Sequence, residues 1–78
     1  MNKERRKTID EIIDSLNKVS DDLYFVQEEE QSAYDNLSDG LKETERGERI
    51  QECADELQDA FDNLRDVIES LENIINEY

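Results

Sequence analysis

Apolar side chains recur along this 78-residue chain at alternating spacings of three and four residues. This spacing places them on one side of an α-helix, at positions a and d of a seven-residue repeat, as in coiled coils. In the first run the a residues are Ile9, Leu16, Leu23, Glu30 and Leu37, and the d residues are Ile12, Val19, Val26 and Ala33. In the second run the a residues are Ile50, Leu57, Leu64, Leu71 and Tyr78, and the d residues are Cys53, Ala60, Val67 and Ile74.

Position e is also apolar in much of the repeat, which widens the apolar side of each helix. The apolar e residues are Ile13 and Tyr34 in the first run, and Ala54, Phe61, Ile68 and Ile75 in the second. Three apolar positions in every seven are typical of helices in a bundle, whereas a two-stranded coiled coil needs only a and d. The pattern therefore predicts an all-α protein.

The segment between the runs contains residues that favour helix ends. Gly40 suits the left-handed conformation that ends many helices, and Thr44 suits the N-cap of the next helix. We predict a single domain, residues 1–78, with a helix at about 3–38, a loop at about 39–44 and a helix at about 45–77. A loop this short makes neighbouring helices antiparallel, so the chain should form a two-helix hairpin.

The two runs are mirror images about a point between residues 43 and 44. Facing residues in such a hairpin have numbers that sum to 87, and the a residues obey this rule: Leu37 with Ile50, Glu30 with Leu57, Leu23 with Leu64, Leu16 with Leu71, and Ile9 with Tyr78. The same register sets d residues against e residues: Val26 against Phe61, Val19 against Ile68, and Ile12 against Ile75. A disordered chain has no reason to keep this symmetry.

In a hairpin of two helices, part of the apolar surface formed by positions a, d and e remains in contact with water. A fully buried Leu, Ile, Val or Phe stabilises a fold by roughly 1.5–3 kcal/mol, and two helices alone realise only part of this. A homodimer in the form of a four-helix bundle would cover this surface, and we expect one. The residues predicted to form the hairpin core and the oligomer contact are Ile9, Ile12, Leu16, Val19, Leu23, Val26, Leu57, Phe61, Leu64, Ile68, Leu71 and Ile75.

Composition excludes several classes of function. The absence of His removes Ser–His–Asp and Cys–His nucleophiles and His-ligated metals, and a single Cys cannot form an internal disulfide or a Cys cluster. The net charge of −14 would repel nucleic acid and anionic membranes. No apolar run is long enough for a signal peptide or a membrane span. We therefore expect a cytoplasmic, non-enzymatic protein without catalytic, cofactor-binding or metal-binding residues.

Acidic residues follow the outward f position of both predicted helices. They are Asp14, Asp21, Glu28 and Asp35 in the first helix, and Asp55, Asp62 and Glu69 in the second. A dimer would carry twice the net charge of −14 along helices that are about 50 Å long. The charge density would be roughly one negative charge per 1.8 Å, close to the ~1.7 Å per charge of duplex DNA. One interpretation is a DNA mimic that occupies the basic surface of a target protein. The alternative is a structural oligomerisation module whose charge only maintains solubility.

An aromatic pair, Tyr24 and Phe25, lies at positions b and c, away from the predicted core and between acidic residues. Exposed aromatic residues often anchor protein interfaces. The pair should therefore contact either a target protein or a second copy of the chain.

Short acidic motifs leave an enzyme as a third alternative. Glu52 with Asp55, and Glu56 with Asp59, have the Glu-x-x-Asp spacing of all-helical, metal-dependent nucleotide pyrophosphohydrolases. The Glu-Glu-x-x-Glu half of that pattern is incomplete, because Ser32 follows Glu28-Glu29-Glu30-Gln31 where the final Glu would be.

The middle of the chain resembles short, uncharacterised acidic helical-hairpin proteins of bacterial and phage genomes. The matching residues are Glu30-Gln31-Ser32-Ala33-Tyr34-Asp35-Asn36-Leu37, then Leu41, then Glu45-Arg46-Gly47-Glu48-Arg49. The resemblance implies a phage or prophage accessory protein, and such proteins often act as inhibitors of a host protein. It supplies no catalytic or binding residues.

Overall fold

The computed structural model, which describes residues 1–77, consists of two long antiparallel helices joined by a short helical turn. Helix α1 spans Lys3–Asp35, α2 spans Asp39–Lys42, and α3 spans Glu45–Glu77. Together they form a rod of 58 × 15 × 13 Å. The predicted all-α architecture of long helices and a short connection is confirmed. No helical segment within residues 1–77 combines the length and hydropathy that a bilayer span requires.

The loop end of α1 differs from the prediction. The helix ends at Asp35, with Asn36 as its C-cap, rather than near residue 38. Gly40 lies inside α2, and no residue among 1–77 has a positive φ, so the expected left-handed glycine is absent from the described chain. The physical reason is Ser38, whose hydroxyl accepts a hydrogen bond from the Leu41 N–H at 3.3 Å and starts a new helical turn.

The start of α3 follows the prediction at Thr44. Its hydroxyl oxygen accepts a hydrogen bond from the Gly47 N–H at 3.3 Å, and its hydroxyl donates to the Leu41 carbonyl at 2.6 Å. The turn passes so close to Gly47 that a Cβ there would clash with the Leu41 carbonyl and lie 2.7 Å from the Lys42 carbonyl oxygen. Glycine at this position lets α2 pack against α3.

The contact between α1 and α3 is built from positions a and e. The a residues are half-buried, and the buried hydrophobic residues, Ile13, Ala54 and Ile68, all occupy e. Around a helix, e lies about 40° to one side of a, and d lies about 60° to the other. A contact between two helices that is centred on a and e therefore turns d toward solvent.

The expected pairing of Ile12, Val19 and Val26 with e residues of α3 is not formed within the chain. These three residues are 45%, 52% and 50% exposed, because their neighbours at e face α3 instead. The other residues predicted for the core lie buried or half-buried in the contact: Ile9, Leu16, Leu23, Leu57, Phe61, Leu64, Ile68, Leu71 and Ile75. Tyr78, the predicted partner of Ile9, lies outside the described residues.

Two of the buried e positions of α1 are polar. Ser20 and Gln27 fill the gap in the apolar e series between Ile13 and Tyr34. The Gln27 side chain is 6% exposed, and its Oε1 has no hydrogen-bond partner among the described residues. A buried amide oxygen without a partner destabilises a fold by about 1–3 kcal/mol. Gln27 therefore offsets part of the stability that the apolar residues of this contact contribute.

Replacing Gln27 by Met should raise the free energy of unfolding by about 1–2 kcal/mol, because Met has a similar length and no polar oxygen to bury. Gln51, which is exposed, provides the matched control: Gln51→Met should change stability by less than about 0.5 kcal/mol. Urea unfolding followed by circular dichroism, at one fixed protein concentration, measures both variants. A Gln27→Met protein no more stable than the parent would contradict the assignment.

The two glycines should respond oppositely to alanine. Gly47→Ala should lower the free energy of unfolding by about 1–3 kcal/mol, because the new Cβ overlaps backbone atoms of the turn. At Gly40 a new methyl group would have no heavy atom within 4 Å, so Gly40→Ala should be neutral or stabilising by about 0.4–1 kcal/mol. Thermal unfolding of the pair tests the packing of α2 on α3; equal effects would count against it.

Candidate interaction surfaces

One face of the hairpin carries a row of exposed apolar side chains at position d. We call these residues the apolar stripe: Ile12, Val19, Val26 and Ala33 on α1, and Cys53, Ala60, Val67 and Ile74 on α3. Reversing the direction of a helix also reverses the sense in which its residues rotate, so the d residues of two antiparallel helices project to the same face. The heptad pattern alone assigns these residues to the hairpin seam, whereas the structure places them beside it.

The apolar stripe tapers from the chain termini toward the loop. In the antiparallel order of the two helices, Ile12 and Ile74 lie nearest the termini, followed by Val19 and Val67, then Val26 and Ala60, with Ala33 and Cys53 nearest the loop. The layer nearest the termini therefore contains two isoleucines, and the layer nearest the loop contains an alanine and a cysteine. The Cys53 thiol is free and exposed.

Shallow grooves lie along both ends of the stripe. The groove at the loop end has a volume of about 400 Å³ and is lined by Glu30, Cys53, Glu56 and Leu57. The groove at the terminal end has a volume of about 230 Å³ and is lined by Thr8, Glu11, Ile12, Ser15 and Leu16. The larger groove thus lies where the stripe residues are smallest.

The predicted acidic rows are exposed on the outer sides of the helices. Their members are Asp14, Asp21, Glu28 and Asp35 on α1, and Asp55, Asp62 and Glu69 on α3. Position f is about 160° from position d around each helix, so both rows lie on the side of the hairpin away from the apolar stripe. The structure does not bring the two rows together into one cluster.

The acidic rows have almost no cationic partners. In residues 1–77 one ion pair forms, between Arg49 and Glu45 at 3.8 Å, and neither residue belongs to the rows. Two row carboxylates accept hydrogen bonds from neutral amides instead: Asp35 from Gln31 at 3.1 Å, and Asp62 from Gln58 at 3.0 Å. The rows therefore present their charge to solvent.

The aromatic pair lies on the side of the hairpin opposite the apolar stripe. The Tyr24 ring centroid is 6.0 Å from that of Phe25 and 5.7 Å from that of Phe61. Phe61 is half-buried between the helices, whereas Phe25 is 63% exposed. Tyr24 thus connects the exposed ring of Phe25 to the half-buried ring of Phe61.

Two hydrogen bonds join α1 and α3 away from the stripe. Arg65 Nη1 donates to Asn17 Oδ1 at 2.9 Å, between b positions of the two helices. Arg6 Nη2 donates to the Ile75 carbonyl oxygen at 2.7 Å, in the last turn of α3, where carbonyl groups lack partners within the helix. Both contacts are consistent with antiparallel helices, and their residue numbers sum to 82 and 81 rather than to the predicted 87.

The acidic residues of the pyrophosphohydrolase-like motifs are exposed along α3. Glu52, Asp55, Glu56 and Asp59 all lie on its solvent side. Within residues 1–77, no three acidic or cysteine side chains form a group that could hold a metal ion.

Comparisons with protein-family models, with curated proteins and with solved structures found no match to this chain. The proposed function therefore depends on the geometry and charge of the surfaces described above.

Alanine substitutions at the two phenylalanines should separate an interface residue from a core residue. Phe61→Ala should lower the free energy of unfolding by about 1–2 kcal/mol, because the ring is partly buried. Phe25→Ala should change it by less than about 0.5 kcal/mol, because this ring is mostly in solvent. Chemical unfolding of both variants at the same concentration measures the difference, and a large loss for Phe25→Ala would place that ring in the core.

Proposed function

We propose that this protein is a non-catalytic interaction protein that dimerises into a four-helix bundle and binds the basic surface of a target protein as a DNA mimic. The observation that supports this function is the separation of the exposed side chains. Apolar residues lie on one face, and unpaired carboxylates lie on the outer sides of both helices. A bundle formed through the apolar face would direct all of the acidic rows outward.

The placement of the carboxylates supports binding over solubility alone. Helices gain roughly 0.2–0.5 kcal/mol from each acidic residue followed four positions later by a lysine, and lose a similar amount when two like charges have that spacing. Asp55 and Asp62 are followed at this spacing by Asp59 and Asp66. This arrangement destabilises the isolated helix, whereas a basic partner would neutralise it.

The exposed aromatic ring adds a second feature expected of a binding surface. Phe25 lies between acidic residues on α1, and its ring packs edge-on against the ring of Tyr24. Rings of this kind contribute strongly to affinity when a partner buries them, while surrounding charges guide the encounter. Together the acidic rows and Phe25 fit a basic target with an apolar pocket.

Affinity capture from a host lysate tests the target class. The immobilised protein should retain a basic nucleic-acid-binding protein, and added duplex DNA or raised salt should release it. A variant with Asp14→Asn, Asp21→Asn and Glu28→Gln should bind the captured protein at least about tenfold more weakly, because attraction between the opposite charges is reduced. The matched control neutralises three exposed carboxylates outside the rows, with Glu4→Gln, Glu43→Gln and Glu77→Gln, and should retain binding.

The alternatives predict different outcomes of the same experiment. A structural module would recover only further copies of itself, and capture that responds to neither duplex DNA nor salt would contradict mimicry. For the enzyme alternative, incubation with nucleoside triphosphates and magnesium should produce no turnover if the proposal is correct.

A further inference from the structure

We infer that the apolar stripe binds the stripe of a second copy with the two loops at opposite ends of the bundle. The inference rests on the dimer in the proposed function, and it adds the contact face, the orientation and the facing residues. In this arrangement each layer of large stripe residues meets a layer of small ones.

The hairpin exposes more surface than is usual for a folded chain of its size. Its accessible surface is 5973 Å² for a mass of 9.2 kDa, whereas compact monomers of this mass expose about 4,900 Å². The excess of about 1,000 Å² is comparable to the ~800 Å² that each partner buries in a standard protein interface. A partner that covers one face of the rod would therefore remove the excess.

The dimensions of the stripe favour a second copy as that partner. From Ile12 to Ala33 the stripe extends about 32 Å along α1, and position d is occupied beyond its two ends by Arg5 and Arg46. A second copy offers a stripe of equal length and equal width across two helices. Because no stripe residue is charged, the two stripes can pack without burying an unpaired charge, which would strongly destabilise the contact.

Two symmetric arrangements bring the stripes together. With both loops at the same end, α1 faces α3 of the partner, so Ile12 would meet Ile74 at one end, and Ala33 would meet Cys53 at the other. Such a contact is overfilled near the termini and underfilled near the loops. Close packing requires that large residues face small ones, so this arrangement is disfavoured.

With the loops at opposite ends, each helix faces its own copy running in the other direction. Ile12 then meets Ala33 of the partner subunit, and Ile74 meets Cys53 of the partner subunit. Cys53 lies in the loop-end groove, which is also lined by Leu57, Glu30 and Glu56. Every layer then has a similar volume.

Disulfide cross-linking tests the orientation, because Cys53 is the chain's single cysteine. Ile74→Cys places a thiol opposite Cys53 of the partner subunit when the loops are at opposite ends, so mild oxidation should give covalent dimers on a non-reducing gel. The matched control mixes an Ala33→Cys, Cys53→Ala variant with the parent protein. Its thiol faces Cys53 of the partner subunit only when the loops are at the same end, and it has no second cysteine in its own chain to pair with. We expect dimers from Ile74→Cys and none from the control mixture or the parent protein.

Charge substitution tests the contact face without relying on disulfide formation. Val19→Asp places a carboxylate inside the proposed contact and should raise the dimer dissociation constant at least about 100-fold. Gln51→Asp adds the same charge at an exposed residue on the side of α3 away from the stripe, and should leave the constant unchanged. Light scattering across a dilution series measures both variants beside the parent.

The outcomes separate this inference from the proposed function. Dimers from the control mixture instead of Ile74→Cys overturn the orientation and leave the interaction function in place. A dimer that Val19→Asp does not weaken, or a parent protein that is monomeric at all concentrations, overturns the contact face. Failure of target capture with the expected cross-link intact overturns the mimicry and leaves the present inference unaffected.

Discussion

A helix with apolar residues at a, d and e cannot cover all three positions with one neighbour. Position d lies on one side of a and position e on the other, so contact with a single helix leaves one of them in water. In this hairpin α1 and α3 meet through a and e, which buries Ala54 and Ile68. The exposed d residues and the excess surface both follow from that geometry.

Several features of the single hairpin lower its stability. Few hydrophobic residues are fully buried, and the amide oxygen of Gln27 is buried without a partner in the described chain. Carboxylates at four-residue spacing repel one another along α3. Small chains with so limited a core usually gain stability from disulfides, metals or oligomerisation. For this chain association through the apolar stripe is consistent with each of these features.

The separation of surfaces connects stability to function. The stripe and the acidic rows point in nearly opposite directions on each helix, so a partner on one surface leaves the other accessible. Self-association would therefore stabilise the hairpin without covering the residues proposed to bind a basic target. The exposed ring of Phe25 lies outside the stripe, and in the proposed function it contacts the target.

Several features of the fold could be predicted from the sequence because they depend on local periodicity. The two long helices, the short connection and the Thr44 cap follow from residue spacing and from the hydrogen-bonding capacity of a hydroxyl side chain. The choice of e over d could not be predicted, because both positions are apolar and the choice depends on how the two helices rotate against each other. The burial of Gln27 could not be predicted either, because a polar side chain is expected to be exposed.

The loop and the binding surfaces show the same limit. Gly40 permits a left-handed helix end, but Ser38 starts a new helical turn first, and competition between such caps depends on how the turn packs. The acidic rows were recognisable from their heptad position, because position f is exposed in either rotation of the helix. Their separation from the stripe required the structure, since it depends on which residues form the seam.

The reactivity of Cys53 in the unmodified protein tests the central claim most directly, because this thiol lies within the apolar stripe and is exposed in the single hairpin. Its rate of reaction with a thiol reagent should fall as protein concentration rises, relative to the rate in urea, because association covers the stripe. A rate that equals the unfolded-chain rate at every concentration would show that the stripe stays in water, and would contradict the account.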